Sequence, residues 1–86
     1  MLERRDYRVI PGVKAADVWA KTWDWWQRAG FALQHVGPNH FTGASVYSKI
    51  GLRREAEVRF TDANDALYVD LAFRAHFTEA GAVGGA

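Results

Sequence analysis

His35, His40 and His76 are the side chains of this sequence whose ordinary pKa lies near neutrality, so they are the first candidates for proton transfer or metal ligation. A zinc site needs such groups to converge with a fourth ligand. Neither a His-x-x-x-His spacing nor a histidine set at ligand spacing from a carboxylate occurs, although His35 and His40 flank a turn and could approach one another. Cysteine is absent, which removes disulfides, thiolate chemistry and sulfur-ligated zinc together. The histidines therefore read as surface residues, and no metal is expected. Glu55 and Glu57 share one face of a strand-like run and have the form of an acid–base pair. A general acid, however, needs its proton held near neutral pH, and the neighbouring Arg54, Arg59 and Arg74 favour ionised carboxylates, which suits a solvated ladder. Ser45 and Ser48 lie in no Gly-x-Ser-x-Gly elbow, and Gly43, Gly51 and Gly81 form no phosphate-binding spacing. The expectation is a non-enzymatic domain with no catalytic residue and no cofactor.

Aromatic and arginine side chains leave binding as the other kind of chemistry. Four Trp, three Tyr and five Phe in 86 residues exceed what so small a core encloses, so some rings are expected half exposed. Along the run from Ala15 to about Ala29, helical spacing puts Val18, Trp19, Thr22, Trp26 and Ala29 on one stripe. Asp17, Lys21, Asp24 and Arg28 fall on the opposite side. Trp23 and Trp25 fall at the two margins of that stripe. Such rings either fold over the edges of a sheet or complete a contact surface, where tryptophan concentrates binding energy. Tyr47, with Trp19 and Trp26, would line any gap between helix and sheet, and Tyr68 is an exposed ring among arginines. Trp23, Trp25, Tyr47 and Tyr68 are thus the candidate interface or ligand-contact residues. Arg4, Arg5 and Arg8 near one end and Arg53, Arg54, Arg59 and Arg74 near the other could join as a nucleic-acid patch. Glu3, Asp6, Glu55, Glu57 and Asp70 are interleaved with them, and the net charge is only +1, so nucleic acid is a disfavoured partner.

The elements that position these residues follow from periodicity. Asp6 to Ile10 alternates charged and apolar residues and ends at Pro11-Gly12, as a short first strand would. A helix of about four turns follows, stopped by Gly30. Phe31 to Val36 reads as a strand, Gly37-Pro38-Asn39 as a turn, Phe41 to Ser48 as the next strand, and Lys49 to Leu52 as a loop. Arg54 to Thr61 alternates Ala56, Val58 and Phe60 with Glu55, Glu57 and Arg59. Its hairpin partner sets Leu67, Val69, Leu71, Phe73 and Phe77 on one face and Tyr68, Asp70, Arg74 and His76 on the other, across a loop at Asp62-Ala63-Asn64-Asp65. Pairing Phe60 with Val69 also sets Arg59 against Asp70 and Glu55 against Arg74, whereas a shift of two would oppose Glu57 and Asp70. The fold class is α+β: one Trp-rich helix on a mainly antiparallel sheet of four or five strands, order β-α-β-β-β-β. Residues 1–79 form a single domain, and residues 80–86 a flexible Gly/Ala tail or linker.

The helix ending Arg28-Ala29-Gly30-Phe31 and the run Gly51-Leu52-Arg53-Arg54-Glu55-Ala56-Glu57-Val58-Arg59-Phe60 before the last hairpin resemble small prokaryotic domains of uncharacterised function with a β-α-β-β-β-β core, similar to half of a TATA-binding-protein fold. The resemblance covers about residues 6 to 77, lacks the C-terminal helix of that pattern, and implies a fold and no activity. No apolar run approaches the length of a membrane span and the first residues are unlike a signal peptide, so a cytoplasmic setting without membrane contact is expected. Phe41 to Ser48 has no charged residue, and at a sheet edge it would be a template for a second chain. The functional expectation is a protein-interaction or self-association domain, as a homodimer or on another subunit, with Trp23 or Trp25 in the contact. An apolar-ligand binding domain, or a small enzyme, with its site between helix and sheet is the rival expectation.

Overall fold

The computed structural model describes residues 2–47 and 51–77, with Val46 and Tyr47 by backbone alone. Five strands and one helix follow the chain as β1 (Leu2–Pro11), α1 (Ala15–Arg28), β2 (Ala32–Gly37), β3 (His40–Tyr47), β4 (Leu52–Ala63) and β5 (Ala66–Phe77). The strands form one antiparallel sheet in the order β1-β5-β4-β3-β2, with α1 packed on one face, so the chain has an α+β fold. β1 and β2 are joined through the helix and end up at opposite edges.

Helix boundaries arise from local chemistry. At the start, the Asp17 carboxylate accepts from the Lys14 N–H at 3.1 Å, and Asp62 of β4 accepts from the Ala15 N–H at 2.9 Å. Both carboxylates satisfy donors that the first turn leaves free. At the end, Gly30 takes φ 97°, its N–H donates to Gln27 O, and the Phe31 N–H donates to Trp26 O. That pattern is a Schellman motif, and its usual apolar contact is present as Phe31 packed edge-on against Trp26 at 5.0 Å.

Between β4 and β5 the register pairs Phe60 with Val69, Arg59 with Asp70 and Glu55 with Arg74, the pairing that charge complementarity selects. The ladder runs further than alternation implied. Ala63 pairs with Ala66, and the connection shrinks to Asn64-Asp65, both at positive φ (52° and 57°), in place of a four-residue loop. Those angles define a type I′ turn, whose twist matches the strands it joins. Glycine adopts such a φ more readily than aspartate, so Asp65→Gly is expected to raise stability by up to about 1 kcal/mol in urea unfolding. The hydrogen bond from Gly12 N–H to Asp65 O uses backbone alone and survives that change.

The core sits between α1 and the centre of the sheet. Phe41 and Leu67 are fully enclosed, and Ala15, Val58 and Phe60 join them in one cluster with Val18, Trp19, Trp23 and Trp26 packed around it. Gly43 is buried on the same face, where a side chain would meet Leu33 Cδ2 at 2.6 Å. Its absence lets β2 and Phe31 close over β3.

One expectation is overturned. The uncharged strand from Phe41 lies inside the sheet, hydrogen-bonded to β2 on one side and β4 on the other, and offers no free edge. Its lack of charge reflects burial on the helix side at Phe41 and Gly43. Ser48, the 49–50 loop residues and the expected tail at 80–86 lie outside the described residues.

Candidate functional site

The two faces of the sheet carry different chemistry. Away from the helix, β3, β4 and β5 form a charged ladder in which His40 Nε2 lies 2.7 Å from Glu57, and Glu55 lies 3.4 Å from Arg53 and 3.8 Å from His76. Both candidate acid–base carboxylates are therefore engaged by basic groups. His35 stands on the helix face, edge-on to Trp19 at 5.3 Å, while His40 stands on the opposite face, so the two do not converge. Among the described residues no group of three or more potential metal ligands comes together.

The arginines are divided as well. Arg5, Arg53, Arg59 and Arg74 belong to the open face, with Glu3 3.1 Å from Arg5 and 3.6 Å from Arg74, whereas Arg4, Arg8 and Arg54 belong to the helix face. Arg54 lies over the Phe31 ring at 5.1 Å and donates to Ser45 Oγ. No continuous basic surface results.

The four candidate contact residues have different surroundings. Trp23 turns inward, 5.4 Å from Phe41 and 5.9 Å from Trp19, and is half-buried in the core margin. Trp25 stays out, 58% exposed, with its ring edge-on to Trp26. Tyr68 is half-buried on the open face, 6.2 Å from Tyr7. The Tyr47 side chain lies outside the described residues. The structure does not bring these four into one site.

Two features that residue patterns did not isolate stand on the β1 side. The first is the β1 edge. All ten of its residues are exposed, and it carries Leu2, Tyr7, Val9 and Ile10; Trp25, Val36 and Phe77 are the other exposed large hydrophobics among the described residues. The bond from Gly12 N–H to Asp65 O at 2.8 Å sets the phase of the β1–β5 ladder: even-numbered β1 residues bond β5, and Arg5, Tyr7 and Val9 turn their N–H and C=O groups outward. The Tyr7 N–H meets the Asp6 carboxylate at 3.0 Å there instead of a strand.

The second is an apolar groove of about 270 Å³ between α1 and β5, walled by Val18, Thr22, Trp26, Val58, Val69 and Leu71 and closed at one end by Ile10 and Leu67. Its cause is a size difference between two helix rows. Trp19 and Trp23 fill the space above β3, while the smaller Val18 and Thr22 face β5 and leave it partly uncovered. Beyond Trp26 and Leu71 the groove opens into a depression of about 380 Å³ bordered by Arg4, Asp6, Arg8 and Phe73. Among the described residues, no helix is long and apolar enough to cross a membrane. Searches against family models, curated proteins and solved structures find no match for the chain.

Proposed function

We propose that this chain is a self-associating interaction domain, non-enzymatic in its own right, that pairs with a second copy through the β1 edge. The observation that carries the reading is the edge itself: an exposed strand with outward backbone groups and four exposed apolar side chains. Such an edge is a template for strand addition; Glu3, Arg4, Arg5, Asp6 and Arg8 would blunt it if they were of one sign, but they are mixed and can pair across a two-fold.

Charge favours one antiparallel register. The outward residues are odd-numbered, so a paired copy must set odd against odd. Centring on Tyr7 puts Asp6 against Arg8 of the second copy and Arg5 against Val9, with no like charges opposed. Centring on Asp6 opposes Arg4 to Arg8 and Asp6 to itself; centring on Arg5 or Arg8 opposes two arginines. In the favoured register Tyr7 meets its counterpart, extending the Tyr7–Tyr68 contact into an aromatic row across the axis. The Asp6–Arg8 pair, 3.2 Å apart within one chain, exchanges partners rather than being lost.

A small domain without disulfides gains stabilisation from such a contact. Sedimentation across the micromolar range is expected to show a concentration-dependent dimer, and a single monomer species at every concentration would remove the reading.

A further inference from the structure

We infer that the α1–β5 groove binds a single-chain amphiphilic carboxylate, with its tail between Val18, Thr22 and Trp26 and the strand residues Val69 and Leu71, and its head at Arg4. This goes beyond self-association and does not require it.

Shape and polarity define the tail. The groove is lined by apolar side chains with Thr22 among them, and together with the adjoining depression it borders β5 from Leu67 to Phe73, about 20 Å at a rise of about 3.4 Å per residue. Two depressions that share Trp26 and Leu71 and adjoin along one strand accommodate an unbranched chain better than a compact ring system. Displacing water from its apolar walls drives binding. Trp26 borders both the trough and the depression beyond, so one ring spans the passage from tail to head.

Charge defines the head. On the helix face of β1, Arg4 stands opposite Phe73, Asp6 opposite Leu71 and Arg8 opposite Val69. Arg8 is neutralised by Asp6 at 3.2 Å, and across the helix Arg28 is paired with Asp24 at 2.8 Å. Arg5 also borders the mouth but is paired with Glu3 at 3.1 Å, whereas Arg4 makes no ion pair among the described residues, so Arg4 is the unmatched positive charge where the groove ends. A guanidinium presents two parallel donors that match a carboxylate. An anionic head with an apolar tail satisfies both halves of the surface; a cationic head meets Arg4 unfavourably.

The probe is sodium dodecanoate below its micelle concentration, titrated by calorimetry and by amide and indole NMR into the chain and into its Val9→Pro variant, which keeps the groove but lacks edge pairing. Saturable binding at one site per chain is expected in both, with shifts at the Trp26 indole and the Val69 and Leu71 amides, and with a raised melting temperature. Arg4→Ala, at an exposed position, is expected to weaken binding at least fivefold, and Thr22→Trp, which fills the trough, to abolish it. Dodecyltrimethylammonium, with the same tail and a cationic head, is expected to bind at least tenfold more weakly. Equal affinity for the two heads, an unchanged affinity in Arg4→Ala, shifts confined to the open face, or a lowered melting temperature would each overturn the inference. Binding only to the Val9→Pro monomer would overturn it too, because the groove would then be covered by the second copy. Sedimentation reads self-association separately, so either claim can fail alone.

Discussion

Phe41→Ala is expected to cost about 3–5 kcal/mol in urea unfolding, enough to remove most of the stability of a chain this short. Phe41 has no exposed surface, and Trp19 and Trp23 stand edge-on to its ring at 5.3 and 5.4 Å. Truncation leaves a cavity beneath two indoles that the β3 backbone, held by β2 and β4, cannot collapse to fill. The companion variant Trp26→Ala is expected to cost less. Helical spacing alone places Trp26 at the centre of the core stripe and implies a loss as large as that of any core ring. Here the ring is half-buried and borders the groove, so part of the space it vacates is already open to water. The comparison needs equal protein concentrations, since the proposed dimerisation would add to apparent stability. A cooperative Phe41→Ala transition within about 1 kcal/mol of the parent would place the core elsewhere.

The second large effect concerns the edge. Val9→Pro is expected to weaken the proposed dimer on the order of 100-fold while leaving the monomer folded. The Val9 N–H points away from β5, so proline removes no bond within the sheet but deletes a donor that two-fold symmetry counts twice, about 2–3 kcal/mol in all. Charge reversal tests the register itself. Asp6→Arg opposes Arg8 of the second copy and is expected to drive dissociation; adding Arg8→Asp restores the opposite-charge pair and is expected to recover the dimer. Loss in the single variant without recovery in the double would reject pairing centred on Tyr7, and sedimentation together with circular dichroism reads both outcomes.

Local chemistry was legible where it acts over a few residues. The Arg28-Ala29-Gly30-Phe31 ending specified its cap, because a glycine at positive φ followed by an apolar residue is what a Schellman motif needs. Alternation along 54–60 and 67–73 assigned the two faces of the last hairpin, and opposed charges selected its register. Alternation implies a longer turn than the one formed, because Asn64 and Asp65 both take positive φ, a demand that alternation does not announce. β1 outruns its alternating segment for a similar reason: Leu2 to Arg5 lacks clean alternation and is held as a strand by pairing with 72–75.

The features on which the proposed function rests are less legible because they depend on which strands become neighbours. An uncharged strand such as β3 is the expected template when it lies at an edge, but the crossover through α1 sends β2 outside it and leaves β1, a strand of mixed charge, at the opposite edge. The roles of Trp23 and Trp25 also diverge for a tertiary reason. Equivalent margins of an isolated helix cease to be equivalent once the helix lies nearer one side of the sheet, where Trp23 finds Phe41 and Trp25 finds only Trp26.

The element types, the apolar faces, the C-terminal helix cap and the pairing of the last two strands are written in the sequence, since each rests on short-range geometry or on charges set opposite one another across a hairpin. Tertiary structure alone decided the strand order, the free edge at β1 and the groove beside β5. Those follow from how one short helix, with bulky indoles on one row and Val18 and Thr22 on the next, settles across a sheet wider than it can cover.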